Sequence, residues 1–308
     1  MTFTAGPVRV RVPATSANLG PGFDALGLAL GRHDELRGEI TGDRLRIDVT
    51  GEGAADVALD ETHLVVRAMR AAFGALGVEP AGLALRCDNR IPHGRGLGSS
   101  AAAIVGGLVL ARALVTDGER RLPAPELLAL ASELEGHPDN VAPCLLGGLT
   151  IAWTTADGAR AAGVEVGPVV PVIFVPPFAA STEQARGLLP PTVPHADAAR
   201  NAGRAALLVA ALTRGVPALL EATEDRLHQE YRRPAMPASA ELVDRLRAAG
   251  HAAVISGAGP TVLVLARDQL EAEAVTALAP AGWPVEQPGI DRTGATVRRP
   301  SPEPVERP

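Results

Sequence analysis

The sequence predicts an α+β protein with about two domains. Three observations support this class: a length of 308 residues, an ordinary balance of 46% hydrophobic and 21% charged residues, and strand and helix patterns without regular β-α-β order. A doubly wound parallel sheet would require that order. Because aromatic residues make up only 3% of the chain, its cores must consist mainly of Ala, Val, Leu and Ile.

The first element is a half-buried strand over residues 8–12, where apolar and charged side chains alternate. It runs into a turn over 13–24 that contains two Gly, two Pro and several small polar residues. Asn18 and Asp24 in this turn are candidate functional residues, because loops between strands often carry function. Ordinary turn chemistry, with each side chain bonded to nearby backbone, is the alternative. Further patterns predict a strand over 45–49, a helix over 62–76 and a strand over 83–86.

A glycine-rich loop leads from that strand into a helix predicted over 101–115. Its glycines allow positive φ, the N–H groups at the helix start can bind an anion, and Ser99 or Ser100 can be the N-cap. The chain contains no Lys, which excludes a Walker A motif, and the glycine spacing does not fit the Rossmann pattern. A turn that only caps a buried helix is the alternative. The candidate phosphate-binding residues are Pro92, His93, Gly94, Arg95, Gly96, Leu97, Gly98, Ser99, Ser100, Ala101 and Ala102.

A second polar cluster follows a helix predicted over 125–135. Glu133 and Glu135 lie at its C-terminal end, where negative charge is unfavourable, so one carboxylate is expected to have another partner. A predicted turn over 136–143 then carries His137 and Asp139. These are too few ligands for a transition metal, and a hydrogen-bonded turn histidine is the simpler alternative.

The remaining sequence predicts a second unit and a tail. A helix capped by Ser181 or Thr182 carries Arg186, a charged turn over 228–234 carries Arg232, and a second glycine loop carries Gly259. We expect an N-terminal domain over 1–160, a C-terminal domain over 161–285 and a disordered tail over 286–308. The other predicted strands lie at 151–153, 169–175, 252–256 and 262–266, and the other helices at 198–213, 217–224, 239–249 and 268–278.

Charge and composition exclude several classes of protein. A net charge of −6 argues against a nucleic-acid-binding surface. No uncharged apolar run reaches about 18 residues, and the N-terminus does not fit a signal peptide, so no membrane span is expected. Cys87 and Cys144 are expected to be buried reduced thiols of a cytoplasmic protein.

Six separated motifs together resemble those of the GHMP small-molecule kinases, in the form found in members that act on homoserine. They lie at 13–24, 92–102, 137–143, 181–186, 231–232 and 257–261. The resemblance implies a two-domain GHMP kinase fold, with a ribosomal S5 domain 2-like N-terminal domain and a ferredoxin-like C-terminal domain. It also implies that ATP phosphorylates the hydroxyl of L-homoserine, a step toward threonine.

The resemblance further implies Mg²⁺ held by Ser100 and Glu135, both hard oxygen ligands. Glu133 remains the alternative carboxylate ligand, because the spacing between Glu135 and the next motif is a single residue, Gly136. Residues 62–66 are expected in the adenine pocket. Arg95 and Thr182 are candidates for contact with the γ-phosphate.

For the acceptor, Arg186 and Arg232 are expected to bind the carboxylate, with Arg233 as a fallback for the second. Asp24 or Asn18 should orient the hydroxyl, and with Arg186 they form the candidate catalytic set. A true general base is not required, since phosphoryl transfer needs mainly positioning and electrostatics. The complete set expected to bind the acceptor is Asn18, Asp24, His137, Asp139, Arg186, Arg232 and Gly259.

Two other functions compete with this interpretation. A sister kinase of the same family would act on another small alcohol, such as a mevalonate-like or sugar-like one. A non-catalytic protein would keep the fold and bind ligands without turnover. The sequence does not determine the oligomeric state, and a homodimer is one assembly compatible with it.

Overall fold

The computed structural model describes residues 2–299 as two β-sheets covered by helices. The strands are β1 (Val8–Ala17), β2 (Leu26–Thr41), β3 (Leu45–Gly51), β4 (Gly82–Asn89), β5 (Leu149–Thr155), β6 (Gly158–Val164), β7 (Val170–Phe174), β8 (Ala253–Ile255), β9 (Val262–Ala266), β10 (Val285–Glu286) and β11 (Thr296–Arg298).

The helices lie mainly between β3 and β5 and between β7 and β10. They are α1 (Leu64–Ala75), α2 (Ser99–Leu114), α3 (Gly118–Arg121), α4 (Ala124–Glu135), α5 (Pro138–Leu146), α6 (Thr182–Gly187), α7 (His195–Arg214), α8 (Leu219–Ala222), α9 (Gln229–Arg232), α10 (Pro237–Ala248) and α11 (Gln269–Thr276). None of these helices is long and apolar enough to cross a membrane. The predicted α+β class is confirmed.

The larger sheet has the order β11-β1-β2-β4-β3, and β5 extends it by pairing with both β2 and β6. Its pairs are antiparallel except β3 with β4. Helix α2 is buried along nearly its whole length, because its Ala, Val, Leu, Ile and Gly side chains pack against β1, β2 and α1. Burial of these apolar side chains stabilises the helix in the core, so its N-terminus has a fixed position.

The smaller sheet has the order β10-β7-β9-β8, with antiparallel pairs throughout. Helices α10 and α11 cover one face of it, where Leu242, Leu246 and Val275 pack against Phe174 and Val264. The glycine loop between β8 and β9 lies at one end of this sheet, and its backbone bonds to Ala17 and Arg95 of the larger unit. This contact places the end of one sheet against the glycine-rich loop of the other.

Two of the expected domain limits differ in the structure. The boundary expected at residue 160 falls inside β6, which still pairs with β5 in the larger sheet. The tail expected to be disordered from residue 286 is wrong over its described part: Ile290 bridges Leu30, and β11 pairs with β1. Pairing with β1 at the edge of the larger sheet orders this segment, although its composition does not predict a strand. The rest of that tail, 300–308, lies outside the described residues.

Two expected turns are helical. The segment after Gly136 forms α5, because Pro138 occupies the first helical position, where its missing N–H carries no penalty. The charged turn expected over 228–234 consists of α9 and a 3-10 turn over Arg233–Ala235. His137 and Asp139 therefore lie at the start of a helix, and Arg232 lies in another, rather than in turns.

Candidate active site

The glycine-rich loop enters α2 through a left-handed residue, Gly98, which is the N-cap with φ +71°. The prediction that a serine caps the helix is therefore wrong. A Cβ at Gly98 would lie 2.0 Å from Thr15 Oγ1, so only glycine fits between this loop and β1. Ser99 and Ser100 fall in the first helical turn, where backbone N–H groups lack helical partners and can bind an anion.

The second glycine loop packs directly against the first. A Cβ on Gly96 would lie 2.3 Å from the carbonyl oxygen of Ser256. The Ser256 hydroxyl donates a hydrogen bond of 2.7 Å to the Gly96 carbonyl. Asn18 extends the contact by donating from Nδ2 to the Gly257 carbonyl at 2.9 Å and accepting from the Asp24 N–H at 3.0 Å. The three loops thus form one hydrogen-bonded unit.

A serine–carboxylate pair lies at the start of α2. Ser100 Oγ donates to Glu135 Oε1 at 2.7 Å. Burial raises the pKa of Glu135, and the Ser100 hydrogen bond and the charge of His137 oppose that rise. The described residues contain no group of three or more His, Cys, Asp or Glu that could hold a metal. Two hard oxygens next to an anion site suit Mg²⁺, which takes its other ligands from phosphate and water.

His137 and Asp139 begin α5 and face the same space. His137 Nδ1 donates to Asp139 Oδ1 at 2.8 Å, and Asp139 is 1% exposed. Burial alone would lower the pKa of His137, but the hydrogen bond and the charges of Asp139 and Glu135 outweigh it and raise that pKa. The imidazole therefore has a larger charged fraction near neutral pH than a free histidine.

These elements enclose a cavity of about 160 Å³. Its wall combines both glycine loops, the Ser–Glu pair, the His–Asp pair and two arginines. The lining residues are Asn18, Gly94, Gly96, Gly98, Ser99, Ser100, Glu135, His137, Asp139, Asn140, Thr182, Arg186, Arg232, Gly257 and Ala258.

The two arginines of the cavity differ in their partners. Arg186 on α6 makes a two-pronged ion pair with Asp24, at 2.6 and 3.3 Å. Arg232 on α9 is 1% exposed, and among residues 2–299 no carboxylate oxygen lies within 4.0 Å of it. Its Nε has no hydrogen-bond partner there. A buried cation without a carboxylate is costly, so the position favours an anionic ligand.

A second cavity of about 270 Å³ lies on the other side of the helix start. Ser99 and Ser100 line both cavities, so the N-terminus of α2 separates them. The wall of the second cavity includes Thr62, His63, Leu64 and Val65, which belong to the segment expected to bind adenine. Other residues of this wall are Asp34, Leu36, Val57, Ala58, Asn89, His93, Ala102 and Ala103.

Several expected site residues have other surroundings. Gly259 faces Met236 rather than the cavity, which is lined by Gly257 and Ala258 instead. The Arg95 guanidinium donates to the carbonyls of Pro176 and Pro177 rather than entering the cavity. Arg233, the fallback for carboxylate binding, pairs with Glu230 and Asp244. Pro92, Leu97 and Ala101 of the glycine-rich loop and helix are buried and hold it in shape.

Sequence reasoning missed two residues beside the cavity. The Phe23 ring lies 5.8 Å from the Arg186 guanidinium and 5.4 Å from that of Arg232. His228 stacks on the same ring, with centroids 5.2 Å apart. Phe23 directly precedes Asp24, and His228 lies three residues before the 231–232 motif, but only the folded chain brings the two rings together.

Two family models match the chain, the first in the part that contributes to the larger sheet and the second in the part that contributes to the smaller one. The model of the GHMP kinases N terminal domain matches residues 63–148, which include the glycine-rich loop, α2 and Glu135. The model named GHMP kinases C terminal matches residues 208–283, which include Arg232 and the second glycine loop. The chain belongs to the GHMP kinase family.

The homoserine kinase of Streptomyces coelicolor is 60% identical over 296 residues, which cover 96% of each chain. That of Leifsonia xyli subsp. xyli is 51% identical over 298 residues, covering 95% of this chain and 92% of that one. The crystal structure of homoserine kinase from Cytophaga hutchinsonii has a TM-score of 0.83 at 26% identity, covering 97% of this chain and 100% of that one. Within the GHMP kinase family the chain belongs to the homoserine kinases. The expected two-domain GHMP kinase fold and kinase class are confirmed.

Proposed function

We propose that the protein transfers the γ-phosphoryl group of ATP to the hydroxyl of L-homoserine, a step toward threonine. The proposal rests on the arrangement of two cavities that meet at Ser99 and Ser100. The smaller cavity is lined by buried Arg232, which has no carboxylate oxygen within 4.0 Å among the described residues. A nucleotide in the larger cavity would present its phosphates to the N-terminus of α2. The acceptor would then lie in the smaller cavity.

The charges of the smaller cavity match a zwitterion. Arg232 and Arg186 suit the acceptor carboxylate, and Asp24 and Asp139 suit its ammonium group. Arg186 and Asp24 neutralise each other. A zwitterion replaces both halves of that pair, because its carboxylate takes the place of Asp24 and its ammonium the place of Arg186. An alcohol without these charges could replace neither half of that pair and would leave buried Arg232 without an anionic partner.

Phosphoryl transfer requires neutralised phosphates and a positioned hydroxyl. Mg²⁺, when bound, would neutralise phosphate charge, and Ser100 and Glu135 are the residues that would hold it. The backbone N–H groups at the start of α2 would bind the phosphate oxygens. Asp24 would accept a hydrogen bond from the acceptor hydroxyl and orient it. Its position is fixed by the bond from its own N–H to Asn18 Oδ1.

The test of this function is product formation. The protein, Mg²⁺, ATP and L-homoserine are combined, and phosphorus NMR is expected to show ADP and one new phosphomonoester. A parallel panel with a mevalonate-like alcohol and a sugar separates the sister-kinase alternative, for which product would appear only there. Binding of Mg-ATP without any product across the panel would favour the non-catalytic alternative.

The proposal includes the cytoplasm as the site of action. Cys87 and Cys144 are buried free thiols, as in proteins of reducing compartments. Burial raises the pKa of Cys87 to about 12, so this thiol stays protonated and unreactive.

A further inference from the structure

We propose that His228 is a positioning residue that aims Arg232 at the carboxylate of the acceptor. The proposal rests on the proposed function and assigns a further residue to the same site. It follows from a buried hydrogen-bonded chain that joins the turn after β1 to α9.

The imidazole of His228 is fully buried and bonded on both nitrogens. Nε2 lies 2.8 Å from the carbonyl oxygen of Gly20, to which it must donate. Nδ1 lies 3.1 Å from Arg232 Nη1, from which it must accept, since a guanidinium offers only donors. These two bonds require the neutral imidazole with its hydrogen on Nε2.

The surroundings of the ring are consistent with that state. Burial lowers the pKa of His228, and the charge of Arg232 lowers it further. The carboxylates of Asp225, 3.7 Å from Nε2, and of Asp24 act in the opposite direction. The ring also stacks on Phe23 at an interplanar angle of 26°. Its orientation is therefore fixed by two hydrogen bonds and one aromatic face.

Arg232 needs such a support because little else holds its guanidinium. Apart from His228, its one hydrogen bond among the described residues is a long one of 3.4 Å to the Gly257 carbonyl. A carboxylate at position 228 would also hold the guanidinium, but would neutralise it. A neutral acceptor fixes the direction of the cation and leaves its charge for the ligand. His228 thus links the loop that carries Asp24 to the arginine at the far side of the cavity.

Two conservative substitutions separate this role from a purely structural one. His228→Asn keeps an acceptor near the position of Nδ1 and loses the bond to Gly20. His228→Gln keeps a donor near the position of Nε2 and loses the acceptor for Arg232. We expect KM for L-homoserine to rise roughly ten-fold in His228→Gln, the size expected for a lost bond to a charged group, and clearly less in His228→Asn. KM for ATP should stay within about two-fold in both, since the nucleotide cavity is separate.

A double-mutant cycle tests the route through Arg232. In the Arg232→Met background, His228→Gln should add little to KM, because the contact is already absent. Additive effects, or a larger defect in His228→Asn than in His228→Gln, would overturn the proposal. If wild-type protein forms no phosphohomoserine, the proposed function fails instead, which is a separate outcome.

Nitrogen NMR of histidine-labelled wild-type protein gives a second measurement that needs no variant to fold. At pH 7 the His228 resonances should be those of a neutral ring with hydrogen on Nε2. A hydrogen on Nδ1 would rule out the bond from Arg232 and overturn the proposal.

Discussion

The two halves of the proposed active site, one for phosphate and one for the acceptor, are built in different ways. The phosphate half consists of backbone N–H groups at the start of α2 and one serine–carboxylate pair, all within the larger unit. The acceptor half consists of charged side chains, with Asp24 from the larger unit paired to Arg186, 162 residues away. The first half is formed by a rigid core helix. In the second half Asp24 and Arg186 neutralise each other, and the proposal is that a zwitterionic acceptor replaces this internal pair.

Loss of the carboxylate in the phosphate half should give the largest effect. Glu135→Gln removes the charged ligand next to Ser100, and we expect kcat to fall about a hundred- to thousand-fold, as when one preorganised contact to a transition state is lost. KM for homoserine should change little. Steady-state kinetics with Glu133→Gln as the matched control checks this, because Glu133 is exposed on the same helix. A comparable loss in the control would show that Glu135 has no special position.

Loss of the buried cation in the acceptor half should act on KM rather than kcat. Arg232→Met should raise KM for homoserine about 10- to 100-fold, because a hydrogen bond to a charged group contributes about 1.5–3 kcal/mol. The ligand-free protein should be no less stable to thermal unfolding, since a buried cation without a carboxylate is removed. Arg233→Met is the control, as that side chain pairs with Glu230 and Asp244 outside the cavity. An equal rise in KM for ATP would mean that the two halves are not separate.

The pair at the start of α5 should give the smallest effect, visible as a pH dependence. The pKa of His137 is raised above its ordinary 6.5 in the folded protein, so the stabilisation it supplies is complete below that value and is lost as the pH rises through the folded pKa. The difference in unfolding free energy between wild type and His137→Gln should therefore shrink with rising pH. Chemical denaturation from pH 6 upward measures it, with His195→Gln, at an exposed position, as the control substitution.

Local sequence predicted the glycine-rich loop and the helix that follows it, which form the proposed phosphate half. Gly94, Gly96 and Gly98 before an apolar helix predict a loop with positive φ at a helix N-terminus, and all three have positive φ in the structure. Both features are local properties of the chain. The predicted capping residue was wrong because a tertiary contact decides which residue can stand there. The loop reaches α2 against Thr15 of β1, and this close approach requires glycine where a serine was expected.

The acceptor half shows where sequence reasoning ends. Asp24 was singled out by its place in a polar turn after a strand, but Arg186 and Arg232 were predicted because motifs of a known family contain them. His228 bonds to Gly20 across 208 residues, and no local pattern signals such a contact. Likewise β11 is ordered by pairing with β1, although its Pro- and Arg-rich surroundings resemble a disordered tail.

The division of the site is tested most directly by removing one charge from the substrate and its partner from the protein together. We would measure kcat/KM for L-homoserine and for 3-aminopropan-1-ol, which lacks the carboxylate, in wild type and in Arg232→Met. Wild type should prefer homoserine by about ten-fold or more, and Arg232→Met should lose most of that preference because the carboxylate no longer has its buried partner. An unchanged preference in the variant would contradict the assignment of the acceptor carboxylate to this arginine.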